Sequence, residues 1–371
     1  MSRDEDLESG LGNPSEATVF GRPDMSEIVS AAGLDSVGLV VIGRNEGDRL
    51  VRCLESVRSI VNRVYVDSGS TDGSVERAIR EGVSVIELEV PPNFTAARAR
   101  NAGLVKLLAG NPDLEFVQMV DGDCEIHPDW ITASLAALRA EPDLAAVYGR
   151  LRERYPTRSV YNALCDDDWN SPIGEAPIVG GIALFRVSPL RQVDLYDPAI
   201  IAGEEPDLSM RLRKNGWRLR RIDAEMGFHD ANITRFAQWW KRTRRTGHAY
   251  GELAHRHPDA RNPNWPHTTY SIVFWGGVMP LALITAVTLA VLDNLLWWFI
   301  AGLFFFPWPV RILQLALRKV RAGLNVKVAA VSGALLMIGK VPQLLGFAEY
   351  HRNRLMGRAS HLIEYKGPAG T

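Results

Sequence analysis

Two uncharged stretches near the C-terminal end constrain the chain most. Ser271 to Leu292 is twenty-two residues without a charge, and a helix of about twenty apolar residues is what the hydrocarbon core of a bilayer requires. Asp293-Asn294 makes a tight polar turn, and Leu295 to Leu317 returns with only Arg311 charged, near its far end, where its long stem can snorkel. The pair is expected to form a transmembrane hairpin over about 271–292 and 295–317. Lys and Arg flank its outer ends, at Lys241 to Arg245 and at Arg318, Lys319 and Arg321, whereas the turn carries none. The positive-inside rule therefore places both ends, and the domain before them, in the cytosol, as in a multi-pass protein of the inner (cytoplasmic) membrane. Val328 to Gly339 offers only twelve uncharged residues before Lys340 and Pro342. That length predicts an interfacial or re-entrant helix, about 326–349, with a basic tail on an anionic leaflet.

The part before the hairpin has a different grammar. Residues 1 to 36 carry eight acids against two bases with few apolar anchors, and are expected to be a disordered acidic tail. No apolar segment behind a basic start occurs there, so no signal peptide is expected. From Val37 on, short continuous apolar runs alternate with helical periodicity. Val37 to Ile42, Val64 to Val66, Val83 to Leu88 and Val117 to Val120 read as strands covered on both faces, with helices between them. This is the pattern of an α/β sheet with right-handed crossovers, in which ligands gather beyond the carboxyl ends of the strands. Asn45, Asp67 and Asp121 fall at those ends. Cys53, Cys124 and Cys165 have no metal-ligand spacing and suit buried thiols in a reducing compartment.

The chemistry-bearing residues sit where the strands stop. Asp121-Gly122-Asp123 offers two carboxylates around a residue free to turn, as hard divalent cations prefer, although ordinary turns use the same residues. Asp67 and the Ser68 to Gly73 loop can wrap a nucleotide or cap a helix, and Arg98 and Arg100 can meet phosphate or a surface acid. Asp166-Asp167-Asp168 reads as an exposed acidic loop. Val179 to Arg186 reads as a strand whose Gly180-Gly181 pair lets backbone approach a ligand. Glu204, Glu205 and Asp207 open a helix, where acids complement the macrodipole, yet three acids also offer a general base.

In order and spacing, Asn45-Glu46, Asp67 to Asp72, Ala99-Arg100-Asn101 and Asp121-Gly122-Asp123 resemble family 2 glycosyltransferases of the GT-A fold. The resemblance covers about residues 37 to 250. It implies a mixed α/β sheet with helices on both faces in a domain over 37–265, followed by a helical membrane region over 266–371. It further implies nucleotide-sugar contacts from Asn45, Glu46, Asp67, Ser70, Asp72, Arg100, Asn101, Asp121, Gly180 and Gly181. A divalent metal, Mg or Mn, would sit on Asp121 and Asp123 with His229 nearby. Glu205 falls where the family places its catalytic Asp, with Glu204 and Asp207 as alternates or helpers, and Gly216-Trp217 follows as in the family. Glu for Asp is a departure, since an added methylene displaces the carboxylate by about 1 Å. Gln238-Trp239-Trp240-Lys241-Arg242 is similar to the motif of processive synthases but has its Arg and Trp out of place, which argues against processivity. The activity implied is inverting transfer from a nucleotide-diphosphate sugar to a lipid-linked saccharide at the membrane. Synthesis of a polyprenyl-phosphate sugar and a non-catalytic nucleotide-sugar-binding scaffold are the alternatives, and nucleic acid is not an expected partner.

Overall fold

The computed structural model describes residues 33–89, 94–258 and 264–358. The acidic segment before Gly33 lies outside the described residues, whereas the bases expected on the leaflet, Arg352, Arg354 and Arg358, lie within them.

Nine strands form one mixed sheet: β1 (Val37–Gly43), β2 (Asn62–Asp67), β3 (Ser84–Glu87), β4 (Phe116–Asp121), β5 (Cys124–Ile126), β6 (Leu144–Glu153), β7 (Gly174–Glu175), β8 (Ala183–Arg186) and β9 (Arg218–His229). The order is β3-β2-β1-β4-β8-β6-β9-β5, with β7 on β9. β1 to β4 run parallel, β8 runs antiparallel to both β4 and β6, and β9 runs parallel to β6 and antiparallel to β5. The apolar runs are continuous because both faces of the sheet are covered. On β1, Leu39 and Val41 face the helix Asp48–Ser56 through Leu50, Cys53 and Leu54, while Val40 and Ile42 face the helix Ala96–Gly110 through Leu104 and Leu107. All three cysteines are buried and form no disulfide.

Two sequence expectations change. Only Ala183–Arg186 of the segment 179–186 joins the sheet, which leaves Gly180 and Gly181 in a loop. Asp166 to Asp168 are the end of a helix, Val160–Asp168, and two of them have fixed partners. Asp166 accepts from Arg150 and from the Glu153 amide (both 2.8 Å), and Asp167 pairs with Lys319.

Among the described residues, three helices are long and apolar enough to cross a membrane: His267–Leu292, Leu296–Arg321 and Val326–Leu355, of 26, 26 and 30 residues. The first two form the expected hairpin. The third is longer than its uncharged core suggested, because the chain stays helical through Gly339. It lies against a helix of the sheet-bearing unit, Phe236–Arg256. Leu335 packs with Trp239, Glu349 pairs with Arg244 (2.8 Å), and Tyr350 meets His248 edge-on (5.4 Å). The closest approach is backbone to backbone. A β-carbon on Gly247 would stand 2.0 Å from the Gln343 carbonyl oxygen, and one on Gly346 would stand 1.9 Å from that of Arg244. Small residues at such a crossing let two helices touch along their main chains.

Candidate active site

β1, β2 and β4 end side by side and deliver Gly43, Asp67 and Asp121 to one edge of the sheet. Asp67 is buried, and its carboxylate is consumed by its own loop. The Tyr65 hydroxyl donates to Oδ1 (2.8 Å), and the Gly69 and Ser70 amides donate to Oδ2 (2.8 and 2.7 Å). The Ser70 hydroxyl adds a fourth bond. Burial, reinforced by Asp67, pushes the Tyr65 phenol far up, so it remains a donor. Asn45 bridges the two loops: its amide donates to Ser70 Oγ (2.8 Å) and its Oδ1 accepts from the Thr71 amide (2.7 Å). Asp72 accepts from the Ser74 amide (3.1 Å) and hydroxyl (2.6 Å) at the start of the helix Ser74–Arg80, and Glu46 pairs with Arg49 (2.8 Å). Asn101 exchanges two bonds with the Tyr196 backbone. Asp67, Asp72 and Asn101, expected to contact the nucleotide sugar, shape the donor-side loops and are not among the residues lining the cleft. Each had unused capacity in the sequence, and each spends it on nearby backbone or hydroxyl groups.

The cleft, about 780 Å³, opens beside these loops over a buried cluster of charge. Arg100 is 2% exposed and contacts three carboxylates: Asp121 (2.9 Å), Glu204 (2.8 Å) and Glu205 (3.1 Å). Burial opposes its charge, but Glu205, Asp121 and Glu204 outweigh that and hold the guanidinium well above its ordinary value. Arg100, expected to meet phosphate or a surface acid, lines the cleft and pairs with these three acids. One guanidinium cannot neutralise three carboxylates, and the group with most room to take a proton is Glu205. Burial and then the neighbouring Glu204 push its carboxyl up to about 7, against the pull of Arg100. Gly181 closes the cluster. A β-carbon there would meet Arg100 Nη2 at 2.4 Å, Glu205 Oε1 at 3.0 Å and Asp121 Oδ2 at 3.1 Å, so only glycine leaves the acids where they are. Gly180 has open space around its Cα.

Glu204 is nearly buried, with its Oε1 on Arg100, whereas Glu205 is 20% exposed to the cleft. Asp207 faces elsewhere. His257 Nε2 and Arg211 Nε each stand 2.8 Å from its carboxylate oxygens. Burial works against its charge, but the His257 hydrogen bond and Arg211 more than offset that and keep it below the usual carboxylate range. Asp207 is a tether for the helix Glu204–Lys214.

Asp123, His229 and Cys124 form the one group among the described residues whose donor atoms lie close enough to hold a metal. Asp123 Oδ2 and His229 Nε2 are 3.2 Å apart, close to the ~3 Å between neighbouring ligands of an ion with bonds of about 2.1 Å. β9 brings His229 there by pairing with Cys124 on β5, and the edge of Trp169 orients the ring (centroids 4.6 Å apart). The other ring nitrogen, Nδ1, is buried without a hydrogen-bond partner. A carboxylate with an imidazole fits a divalent cation. Asp121, expected to share the metal, is turned to Arg100 instead.

The far wall of the cleft was not foreseen as such. One face of the helix Phe236–Arg256 supplies it, with Arg242, Arg245, Thr246, Ala249, Tyr250 and Leu253. Their three- and four-residue spacing was visible in the sequence, where Trp239, Trp240 and the bases Lys241 to Arg245 could equally stack on an acceptor sugar or rest at a membrane surface. Trp239 and Trp240 instead pack with Phe236, and Trp239 stacks on Tyr161 (5.9 Å).

Comparison with known proteins follows the same outline. The chain matches the family model "Glycosyl transferase family 2" over residues 39–193 and "Glycosyl transferase family group 2" over residues 144–332. It is 27% identical over 239 residues to the pre-mycofactocin glycosyltransferase of Mycobacterium tuberculosis, in strains CDC 1551 / Oshkosh and H37Rv, over 61% of this chain and 49% of that protein. The chain thus spans about half the length of the curated relatives it matches. Among solved structures, the mannosyltransferase PcManGT from Pyrobaculum calidifontis, in complex with GDP-Man and Mn2+, aligns with a TM-score of 0.53 at 18% identity, over 82% of this chain and 87% of that one. That likeness establishes the GT-A fold.

Proposed function

The chain belongs to glycosyl transferase family 2, and from that premise we propose that it is an inverting, metal-dependent enzyme moving a hexose from a nucleotide-diphosphate donor to a lipid-linked saccharide. The work is done at the cytosolic face of the inner membrane, in assembly of a surface polysaccharide or glycolipid. The observation that carries this reading is Glu205: a carboxylate open to the cleft, held 3.1 Å from Arg100 and with its pKa pushed up to about 7. A base whose pKa lies near the working pH serves proton transfer best. Glu205 takes the proton from the acceptor hydroxyl, and Arg100 with Gly181 fixes where that carboxylate stands. Asn45, Ser68 and Thr71 line the donor end of the same cleft. Asp123 and His229 would hold the metal, which supplies positive charge to the leaving diphosphate. The imidazole nitrogen favours Mn over Mg, which prefers oxygen ligands and keeps its waters.

The anchor supports a lipid-borne acceptor. In this reading the hairpin His267–Leu292 and Leu296–Arg321 crosses the bilayer and Val326–Leu355, also long and apolar enough to cross, lies at the interface instead, a placement supported by its contacts with Phe236–Arg256, which keep it beside the catalytic unit. A thermal-shift screen of nucleoside diphosphate sugars with and without Mn2+ tests the donor, because a ligand that binds only the folded state raises its melting temperature. Stabilisation by one donor with metal, followed by transfer that Glu205→Gln abolishes, is the expected outcome. Transfer that survives Glu205→Gln would instead fit a phosphate nucleophile, which needs no base, as in synthesis of a polyprenyl-phosphate sugar.

A further inference from the structure

The helix Phe236–Arg256 has two working faces. Arg244, Gly247, His248 and Gly251 face Lys340–Leu355, and Arg244 is spent on Glu349 (2.8 Å). A quarter-turn away, Arg242 and Arg245 face the cleft. Arg245 has no carboxylate within ion-pair distance among the described residues; its Nη2 meets the Ile201 carbonyl at 3.4 Å. Ile201-Ala202-Gly203 leads directly into Glu204 and Glu205, so Arg245 stands at the shoulder of the general base. Arg242 lies beside it, with Nη1 3.3 Å from Cys165 Sγ and within electrostatic reach of Asp168. The cleft thus has an acidic floor, Asp121, Asp123, Glu204 and Glu205, and a basic wall across from it. The floor calls for a cation and a hydroxyl. The wall calls for an anion.

That anion is not required by the donor. Its diphosphate would be met at the strand-end side of the cleft, where Asp123 and His229 would hold a divalent metal. A hydroxyl deprotonated by Glu205 must approach over the Ile201 to Glu205 segment, past Arg245, and from the helix that is locked main chain to main chain onto the membrane region. We propose that Arg242 and Arg245 form a subsite for a phosphate or diphosphate carried by the acceptor, read by paired guanidinium forks. The inference rests on the glycosyltransferase reading and names what its acceptor carries. The two groups act as binding residues, holding the acceptor's headgroup while the sugar hydroxyl reaches Glu205.

The test uses the full chain in nanodiscs with Mn2+ and saturating nucleoside diphosphate, titrated with farnesyl diphosphate, farnesol and inorganic pyrophosphate. Farnesyl diphosphate is expected to bind on top of the nucleotide, about tenfold or more tighter than either farnesol or pyrophosphate. Arg245→Gln and Arg242→Gln should each weaken it about tenfold or more, with Arg245→Lys recovering part of the loss and nucleotide affinity keeping its wild-type value, which also reports that the variants are folded. Displacement of the nucleotide by farnesyl diphosphate, or an equal loss of nucleotide affinity in Arg245→Gln, would overturn the proposal by giving these arginines to the donor. Farnesol binding as well as farnesyl diphosphate would overturn it too, and pyrophosphate binding equally well would remove the lipid as its source. A wild-type protein that binds no nucleotide would instead defeat the glycosyltransferase reading beneath it.

Discussion

The two ends of the cleft spend their polar side chains differently. At the donor end Asp67, Asn45, Ser70 and Asp72 are occupied by neighbouring amides and hydroxyls, so they build loops of fixed shape. At the acceptor end charge is crowded past what local partners can neutralise, with one arginine among three acids and a second arginine that has only a carbonyl. A saturated group gives up little by being where it is, whereas an under-compensated one has its chemistry altered. The comparison therefore separates residues that give the site its form from residues that give it reactivity.

The largest effect should follow from touching the crowded end. Glu205→Gln should lower kcat by about 10²–10⁴, the contribution of a positioned general base, read from transfer rates at saturating donor and acceptor. Gly181→Ala comes next. Its β-carbon displaces Arg100 or Glu205, and a shift of about 1 Å at a reacting group costs on the order of 10²-fold in kcat, with donor affinity and melting temperature changing far less. Asp67→Asn probes the saturated end. The amide cannot accept from all four donors, so a loss of about 1–3 kcal/mol is expected, seen as a lower melting temperature and a higher donor KM with kcat nearly kept. Asp207→Asn should do least to turnover, lowering the melting temperature while kcat stays within a few-fold. A collapse of kcat in Asp67→Asn, with Gly181→Ala active, would invert the comparison.

Much of this was legible. The strands of the parallel half announce themselves because burial on both faces demands continuous apolar residues, and Asp121 and Asp123 drew notice because a strand end is where ligands collect. The hairpin was legible for the same reason, since length without charge has few other uses. What could not be read was the partner of each charge. Arg100 meets Glu204 across 104 positions of sequence, and nothing local distinguishes that from an arginine kept for phosphate. Asp67 and Asn101 were assigned to ligands because hydrogen bonds to backbone leave no trace in the residue type. The basic run Lys241 to Arg245 splits between two faces of one helix, and that division depends on what packs on each side.

The raised carboxyl of Glu205 has a consequence for stability as well. Its folded value, about 7, lies above the ordinary glutamate value of 4.5, so the folded state holds the extra proton and stability falls as pH rises from about 4.5 to about 7. Glu205→Gln removes that loss. Its melting temperature should match the wild type near pH 4.5 and exceed it by a margin that grows to about pH 7 and then levels off.

The central claim, that Glu205 is the base, is tested most directly by the pH profile of kcat for transfer in the wild type, Glu205→Gln and Glu204→Gln. The wild type should rise along an acidic limb with its midpoint near 7. Glu205→Gln should be slow and lack that limb, and Glu204→Gln should keep it with a lowered midpoint, because a neighbouring negative charge is gone. A limb that persists in Glu205→Gln and disappears in Glu204→Gln would contradict the account.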